Sequence, residues 1–201
     1  MEIFTEIELK KAKEIIRSGL SKAAKSFGAF LKTEIRLDLG DDFTISENVL
    51  KINMDTKSDD IYLLTSELLG ELKGASYLIF SKNEVKSIMT SIYPNKNFAE
   101  EKYNKKSKSL ILETDNIITA GLISQFANVF DYRTYGGVPH LDIVDHKEAE
   151  RIIFEGMNKN EFLLGFKAIL SSDGGDINAD FIWSVDKAFV EGVKKVVKIG
   201  K

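Results

Sequence analysis

Between residues 5 and 31, Ala12, Ile15, Ile16, Gly19, Ala23, Phe27 and Phe30 recur at three- and four-residue spacings. That period places them on one face of a long amphipathic helix. Short apolar runs follow at residues 33–39, 49–54, 61–69 and 76–81. They are separated by the polar cluster 55–60 and by Gly74, and they read as strands. A helix is predicted over 83–93, stopped by Pro94. Residues 95–108 are rich in lysine and asparagine and offer little to bury, so they read as a solvated connection. A second long helix is predicted over 109–130, its apolar stripe made by Ile111, Ile118, Leu122, Phe126 and Val129. The order then repeats. An extended stretch over 132–144 precedes a short helix at 147–156, a hairpin of 161–171 with 178–184, and a closing helix at 187–197.

The internal echo is clearest between ASYLIFSKNEVKSIM, from Ala75, and ADFIWSVDKAFVEGV, from Ala179. In each, an apolar strand runs through a serine, Ser81 or Ser184, into an amphipathic helix. Neither half alone can cover a sheet, so the two are expected to share one sheet and one core. The expectation is a single α+β domain over 1–201, made of pseudo-repeats 1–94 and 109–199 joined by the linker 95–108.

Composition narrows the chemistry. Hydrophobic residues make up 43% and charged residues 29% of 201 residues, enough for one well-filled core. The 31 acidic and 28 basic residues are scattered, for a net charge of -3, and no basic block is present to neutralise a run of phosphates. Nucleic acid is not an expected partner. With no cysteine, thiolate metal sites, disulfides and cysteine nucleophiles are excluded. The N-terminus carries acids and lysines where a signal peptide carries an apolar run, and no window approaches the roughly 18 apolar residues needed to span a bilayer. A cytoplasmic protein without membrane insertion is expected. His140 and His146 lie near Asp142 and Asp145, but no third ligand is specified, and no metal site is expected. Asp173-Gly174-Gly175-Asp176 reads as a hairpin turn, Gly136-Gly137-Val138-Pro139 as a turn, and Trp183 as core.

On the second long helix Ser109, Glu113 and Asn116 are spaced four and three apart, opposite the apolar stripe, and so should face solvent. The longer pattern Ser109-x3-Glu113-x2-Asn116-x22-Pro139 resembles, in residue type and spacing, the active-site signature of the CheC/CheX/FliY phosphatases. The duplicated strand-strand-helix layout and the run ETDNIITAGLISQFANVF extend the resemblance over nearly the whole chain. It implies a mainly antiparallel central sheet with two long antiparallel helices packed on it. It also implies an enzyme that speeds hydrolysis of the aspartyl phosphate of a CheY-like receiver, whose bound magnesium supplies the metal, so that the enzyme needs no cofactor of its own. Carried over by position, Asn116 would orient the attacking water and Glu113 would pair with the receiver's lysine. Ser109 would support them and Pro139 would shape the neighbouring loop. A CheD-like deamidase or flagellar switch proteins are further partners that the resemblance implies.

The same stretch of the first helix reads Lys10-x3-Glu14-x2-Arg17, with Gly40 in place of the proline. Arginine accepts no hydrogen bond and brings bulk and charge where the amide belongs. One working site is therefore expected, in the second half, with Lys10, Glu14 and Arg17 forming ordinary helix ion pairs. FliY and FliM normally add a CheY-binding peptide and a rotor domain, neither of which is recognised in these residues. A free-standing phosphatase or an excised domain is expected, or alternatively a non-catalytic binding module on the same fold.

Overall fold

A computed structural model describes residues 3–32, 34–39, 43–46, 60–92, 103–158, 161–172 and 175–200. The first helix, α1 (Glu6–Leu31), starts where Thr5 and Glu8 cap one another. The Thr5 amide donates to Glu8 Oε2 at 2.8 Å and the Glu8 amide to Thr5 Oγ1 at 3.3 Å. It ends at Lys32, in the left-handed region with φ 56. Two short strands follow, β1 (Arg36–Leu39) and β2 (Thr44–Ser46). The long hairpin β3 (Ile61–Gly70) and β4 (Gly74–Ser81) leads directly into α2 (Lys82–Ile92).

The second half opens on α3 (Tyr103–Phe130), continues through β5 (Thr134–Gly136) and β6 (His140–Val144) to α4 (His146–Gly156), and then forms the hairpin β7 (Phe162–Ser172) and β8 (Gly175–Val185), closed by α5 (Lys187–Lys198).

All strand pairings are antiparallel, and the described strands form one eight-stranded sheet. β4 and β8 pair at its centre, Ala75 opposite Ser184 and Ile79 opposite Asp180. Outward from them, β3 receives β5 and β6 from the second half, and β7 receives β1 and β2 from the first. Each half therefore lends its short strands to the other half's hairpin, and the sheet is complete only when both are present.

One face of the sheet carries α1, α2, α3 and α5 over a large apolar core. The other face carries α4, whose Ala149 and Ile153 cover Ile61, Tyr77, Leu163 and Ile182. The long helices run antiparallel, because Gly19 of α1 faces Leu122 and Gln125 while Gly121 of α3 faces Ala23. A Cβ on Gly121 would stand 2.7 Å from Ala23 Cβ, so the two backbones approach as only glycine permits.

Several expectations are corrected. The helix predicted from Ser109 begins at Tyr103, so the second part of the supposed solvated connection is helical, and Ser107 within it is buried. β2 was not expected at all, and the strand predicted over 49–54 lies outside the described residues, as does the Asp173-Gly174 part of the turn. Phe30, assigned to the apolar face of α1, is 40% exposed. The echo between the strand-helix units holds, but its capping residues are Ser81 and Asp186. Ser81 Oγ accepts from the Glu84 amide at 3.3 Å, and Asp186 accepts from the Ala188 amide at 3.1 Å. Ser184 instead points inward and donates to Glu161, which also accepts from Asn158 Nδ2 at 2.7 Å.

Candidate functional site

A constant step of 99 residues relates the two long helices in sequence. Lys10, Glu14 and Arg17 fall on Ser109, Glu113 and Asn116, while Ala12, Ala23 and Phe27 fall on Ile111, Leu122 and Phe126, all six buried. In sequence the same step takes Gly40, which lies outside the described residues, to Pro139, between β5 and β6. Because the helices are antiparallel, the two polar triplets lie at opposite ends of the pair.

Helical periodicity places Ser109, Glu113 and Asn116 on the outer side of α3, and all three are exposed. Leu110, Ile111, Thr114 and Asp115 between them are buried. Among the described residues no hydrogen bond or ion pair engages Glu113 or Asn116. A carboxyl and a carboxamide thus project from α3 without a partner among the described residues, both open to another molecule's donors and acceptors. The exposed strip continues with Ala120 and Ser124, small residues that let another surface approach the helix.

Pro139 is half-buried in the loop between β5 and β6. That loop is held from two sides. The Gly137 amide donates to Glu67 O of β3 at 2.8 Å, and a Cβ on Gly136 would stand 3.1 Å from Ile123 Cδ1 of α3. β5 and α3 are direct neighbours, so the fold sets the Pro139 loop against the helix that carries Glu113 and Asn116. Next to Pro139, Val138 is 92% exposed, and Tyr135 is 61% exposed.

At the first-half end, Lys10, Glu14 and Arg17 are exposed as expected, but the pairing differs. Glu14 bonds Lys11 Nζ at 3.1 Å rather than Lys10 or Arg17. Lys11 lies one position nearer the flank of the helix, where its ammonium meets Glu14 at i,i+3. A cleft of ≈ 350 Å³ opens here, lined by Lys11, Glu14, Gln125, Asn128 and Val196 among others. It lies between the first turns of α1 and the last turns of α3, away from Asn116 along the helix pair.

His140 Nε2 meets Asp142 Oδ1 at 3.2 Å on an exposed strand. Among the described residues no group of three or more His, Asp or Glu is arranged to hold a metal ion, and no helix is long and apolar enough to cross a membrane. Trp183 is 1% exposed, in the core.

One feature was missed from sequence. Asp115 and Thr119, on the inner side of α3, are buried with Ser66 of β3 and Ser76 of β4. Ser66 Oγ donates to Asp115 Oδ2 at 2.6 Å, Thr119 Oγ1 donates to Asp115 Oδ1 at 3.2 Å, and Ser76 Oγ lies 3.4 Å from Thr119 Oγ1. Burial pushes the Asp115 carboxyl up to about 6, against the lowering effect of the two hydroxyls. The signal was present in sequence: an acid and a threonine interrupt the apolar arc between Ile111, Ile118 and Leu122, where the 99-residue step finds Ile16 and Leu20 in α1.

No family model matches the sequence, and no curated protein matches it either. Solved structures do match the fold. FliY of Thermotoga maritima superposes with a TM-score of 0.75 at 14% identity, covering 100% of both chains. A chain of the FliG–FliM complex of H. pylori superposes with a TM-score of 0.66 at 7% identity, over 94% of this chain and 100% of that one. A CheC-like superfamily protein from Shewanella gives a TM-score of 0.52 at 16% identity, over 86% and 97%. The architecture is thus the α+β fold shared by the CheC, CheX and FliY proteins and the FliM middle domain. Within that group the match to FliY extends over the full length of the chain.

Proposed function

We propose that the protein accelerates hydrolysis of the aspartyl phosphate of a CheY-like receiver domain, through one site on the outer face of α3. The observation that carries this reading is the placement of Glu113 and Asn116, exposed and without a hydrogen-bond partner among the described residues, on the helix of a CheC-like fold that neighbours β5, the strand leading into the Pro139 loop.

The receiver brings the phosphoryl group and its magnesium ion, which neutralises charge developing on the phosphoryl oxygens. This chain adds positioning. The Asn116 carboxamide both donates and accepts, so it holds a water in line with the breaking P–O bond. Glu113, one turn earlier, pairs with a lysine of the receiver and sets the register in which Asn116 enters. Ser109 supports the preceding turn, and Pro139 shapes the loop that flanks the docked partner. In the first half the position of the amide is held by Arg17, which cannot accept from water, so that end is inactive.

The two roles separate kinetically. Asn116→Ala is expected to lower kcat by roughly a hundredfold with little change in KM, the mark of an interaction made in the transition state. Glu113→Ala is expected to raise KM by roughly tenfold, as loss of a docking charge pair does. Steady-state hydrolysis at varied receiver concentration checks the split, and a KM effect from Asn116→Ala with unchanged kcat contradicts it.

The exposed Tyr135 and Val138 beside Pro139 favour a second reading, a non-catalytic binding module on this fold that docks a response regulator, a CheD-like deamidase or a flagellar switch protein. The FliM relative stands in a complex with FliG, which supports the switch-protein form of that reading. Receiver-phosphate decay with the wild-type protein distinguishes the two: under the binding-module reading the decay is not accelerated, while Val138→Asp still weakens capture of the partner.

A further inference from the structure

We infer that Asp115 is a positioning residue: its buried carboxyl locks α3 onto β3 and thereby holds Asn116 in fixed relation to the Pro139 loop. The inference rests on the phosphatase reading for its kinetic consequence, though not for its geometry.

The connection is continuous. Asp115 directly precedes Asn116 in the chain, and its Oδ2 accepts from Ser66 Oγ of β3 at 2.6 Å. Ser66 directly precedes Glu67, whose carbonyl accepts from the Gly137 amide at 2.8 Å, two residues before Pro139. β3 is also where the partner ladder is interrupted. Residues 61–65 pair with β6 and 68–70 with β5, so Ser66 and Glu67 stand at the gap that the Pro139 loop spans. The Ser66–Asp115 hydrogen bond thus ties α3 to β3 one residue from the Glu67 carbonyl that holds the loop. Thr119 and Ser76 complete the cluster, and all four side chains are buried.

The first half serves as the internal control. At the same positions α1 carries Ile16 and Leu20, both fully buried, so an apolar contact suffices to seat a long helix on this sheet. A buried carboxyl is an unfavourable way to achieve the same seating, since it must shed its water. The polar cluster occurs in the half that has Glu113 and Asn116 and is absent from the half that has Arg17. A directional hydrogen bond fixes the rotation and height of a helix more narrowly than apolar packing does, and placement of the reacting water demands that precision.

The test uses the full chain with a magnesium-loaded, phosphorylated CheY-type receiver. Asp115→Ile, which copies Ile16, is expected to lower kcat roughly tenfold with KM unchanged. Ser66→Ala breaks the same bond from the other side and should do likewise, and the two together should lose no more than either alone. Asp115→Asn, which keeps an acceptor toward Ser66, should retain most of the wild-type kcat. On an Asn116→Ala background, Asp115→Ile should have no further effect. Wild-type kcat in Asp115→Ile, or an equal loss on the Asn116→Ala background, overturns the inference.

A second arm needs no hydrolysis. The chain is free of cysteine, so spin labels at Lys108→Cys and Val138→Cys report the helix-to-loop distance directly. One narrow distance is expected in the parent and in Asp115→Asn, shifted or broadened in Asp115→Ile and Ser66→Ala. An unchanged distribution in both overturns the inference even if the wild-type protein proves to hydrolyse no receiver, an outcome that would by itself count only against the phosphatase reading.

Discussion

Phe126→Ala is expected to cost about 3–5 kcal/mol of folding stability, the range for removing a fully buried phenylalanine ring. Phe126 is 1% exposed and lies where α3, α5 and the sheet meet. Its ring is edge-on to Trp183 at 5.4 Å and to Phe189 at 5.3 Å, and stacked with Phe130 at 6.0 Å. The loss combines the transfer energy of the ring, the aromatic contacts and the cavity left among neighbours fixed by three separate elements. Domain stabilities run about 5–15 kcal/mol, so the variant should be marginal, its thermal midpoint lower by about 10 °C or more. Phe30→Ala, 40% exposed on α1 and stacked on Phe27 at 6.3 Å, serves as the control and should cost much less, about 1 kcal/mol. A Phe126→Ala protein that melts within a degree or two of wild type would contradict this description of the core.

Asp115→Asn is expected to stabilise the fold at neutral pH by about 1–3 kcal/mol. The ordinary value for the carboxyl is 3.8, and burial pushes it up to about 6 in the folded protein. The folded state therefore holds the proton more tightly than the unfolded chain. The stability this group contributes is fully present below about 3.8 and is lost as pH rises through about 6; a gap of two units corresponds to on the order of 3 kcal/mol. The influences on Asp115 are its burial and the hydroxyls of Ser66 and Thr119. Asparagine keeps an acceptor for Ser66 and carries no charge. The stability difference between Asp115→Asn and wild type should thus be near zero at pH 4 and reach its plateau by pH 7–8. Urea midpoints across that range provide the check, and an Asn variant less stable than wild type at pH 8 would contradict the account. Together with the loss expected for Asp115→Ile, this makes Asp115 a group retained at a cost in stability for the placement it gives Asn116.

Much of the architecture was legible in sequence because it follows local periodicity. The buried faces of α1 and α3 recur every three to four residues, and the exposed positions of Ser109, Glu113 and Asn116 follow from the same arithmetic. β4 and β8 are apolar on both faces, because helices lie above and below the sheet, and so both were recognisable. Three things were not legible. The first turns of α3, from Tyr103, are lysine-rich, so their composition imitates a linker although the helix simply continues. The exchange of short strands between halves depends on pairings more than a hundred residues apart, such as Arg36 with Ser171, which no local pattern encodes. Asp115 and Thr119 do break the apolar arc of α3, but an acid in an amphipathic helix is ordinarily solvated, so the break alone does not mark burial. Asp115 is placed inside by the two hydroxyl-bearing strands beneath it, and those become its neighbours only in the folded sheet.

The central claim is tested most directly by the decay of labelled phosphate from a CheY-type receiver, in magnesium, with wild-type protein, Asn116→Ala, Arg17→Ala and no added protein. The account predicts decay accelerated by roughly a hundredfold, which requires only about 2.7 kcal/mol of transition-state stabilisation. That acceleration should disappear in Asn116→Ala and persist in Arg17→Ala. Equal decay with wild type and with no protein across several receivers from the same cell, or acceleration that survives Asn116→Ala, would contradict it.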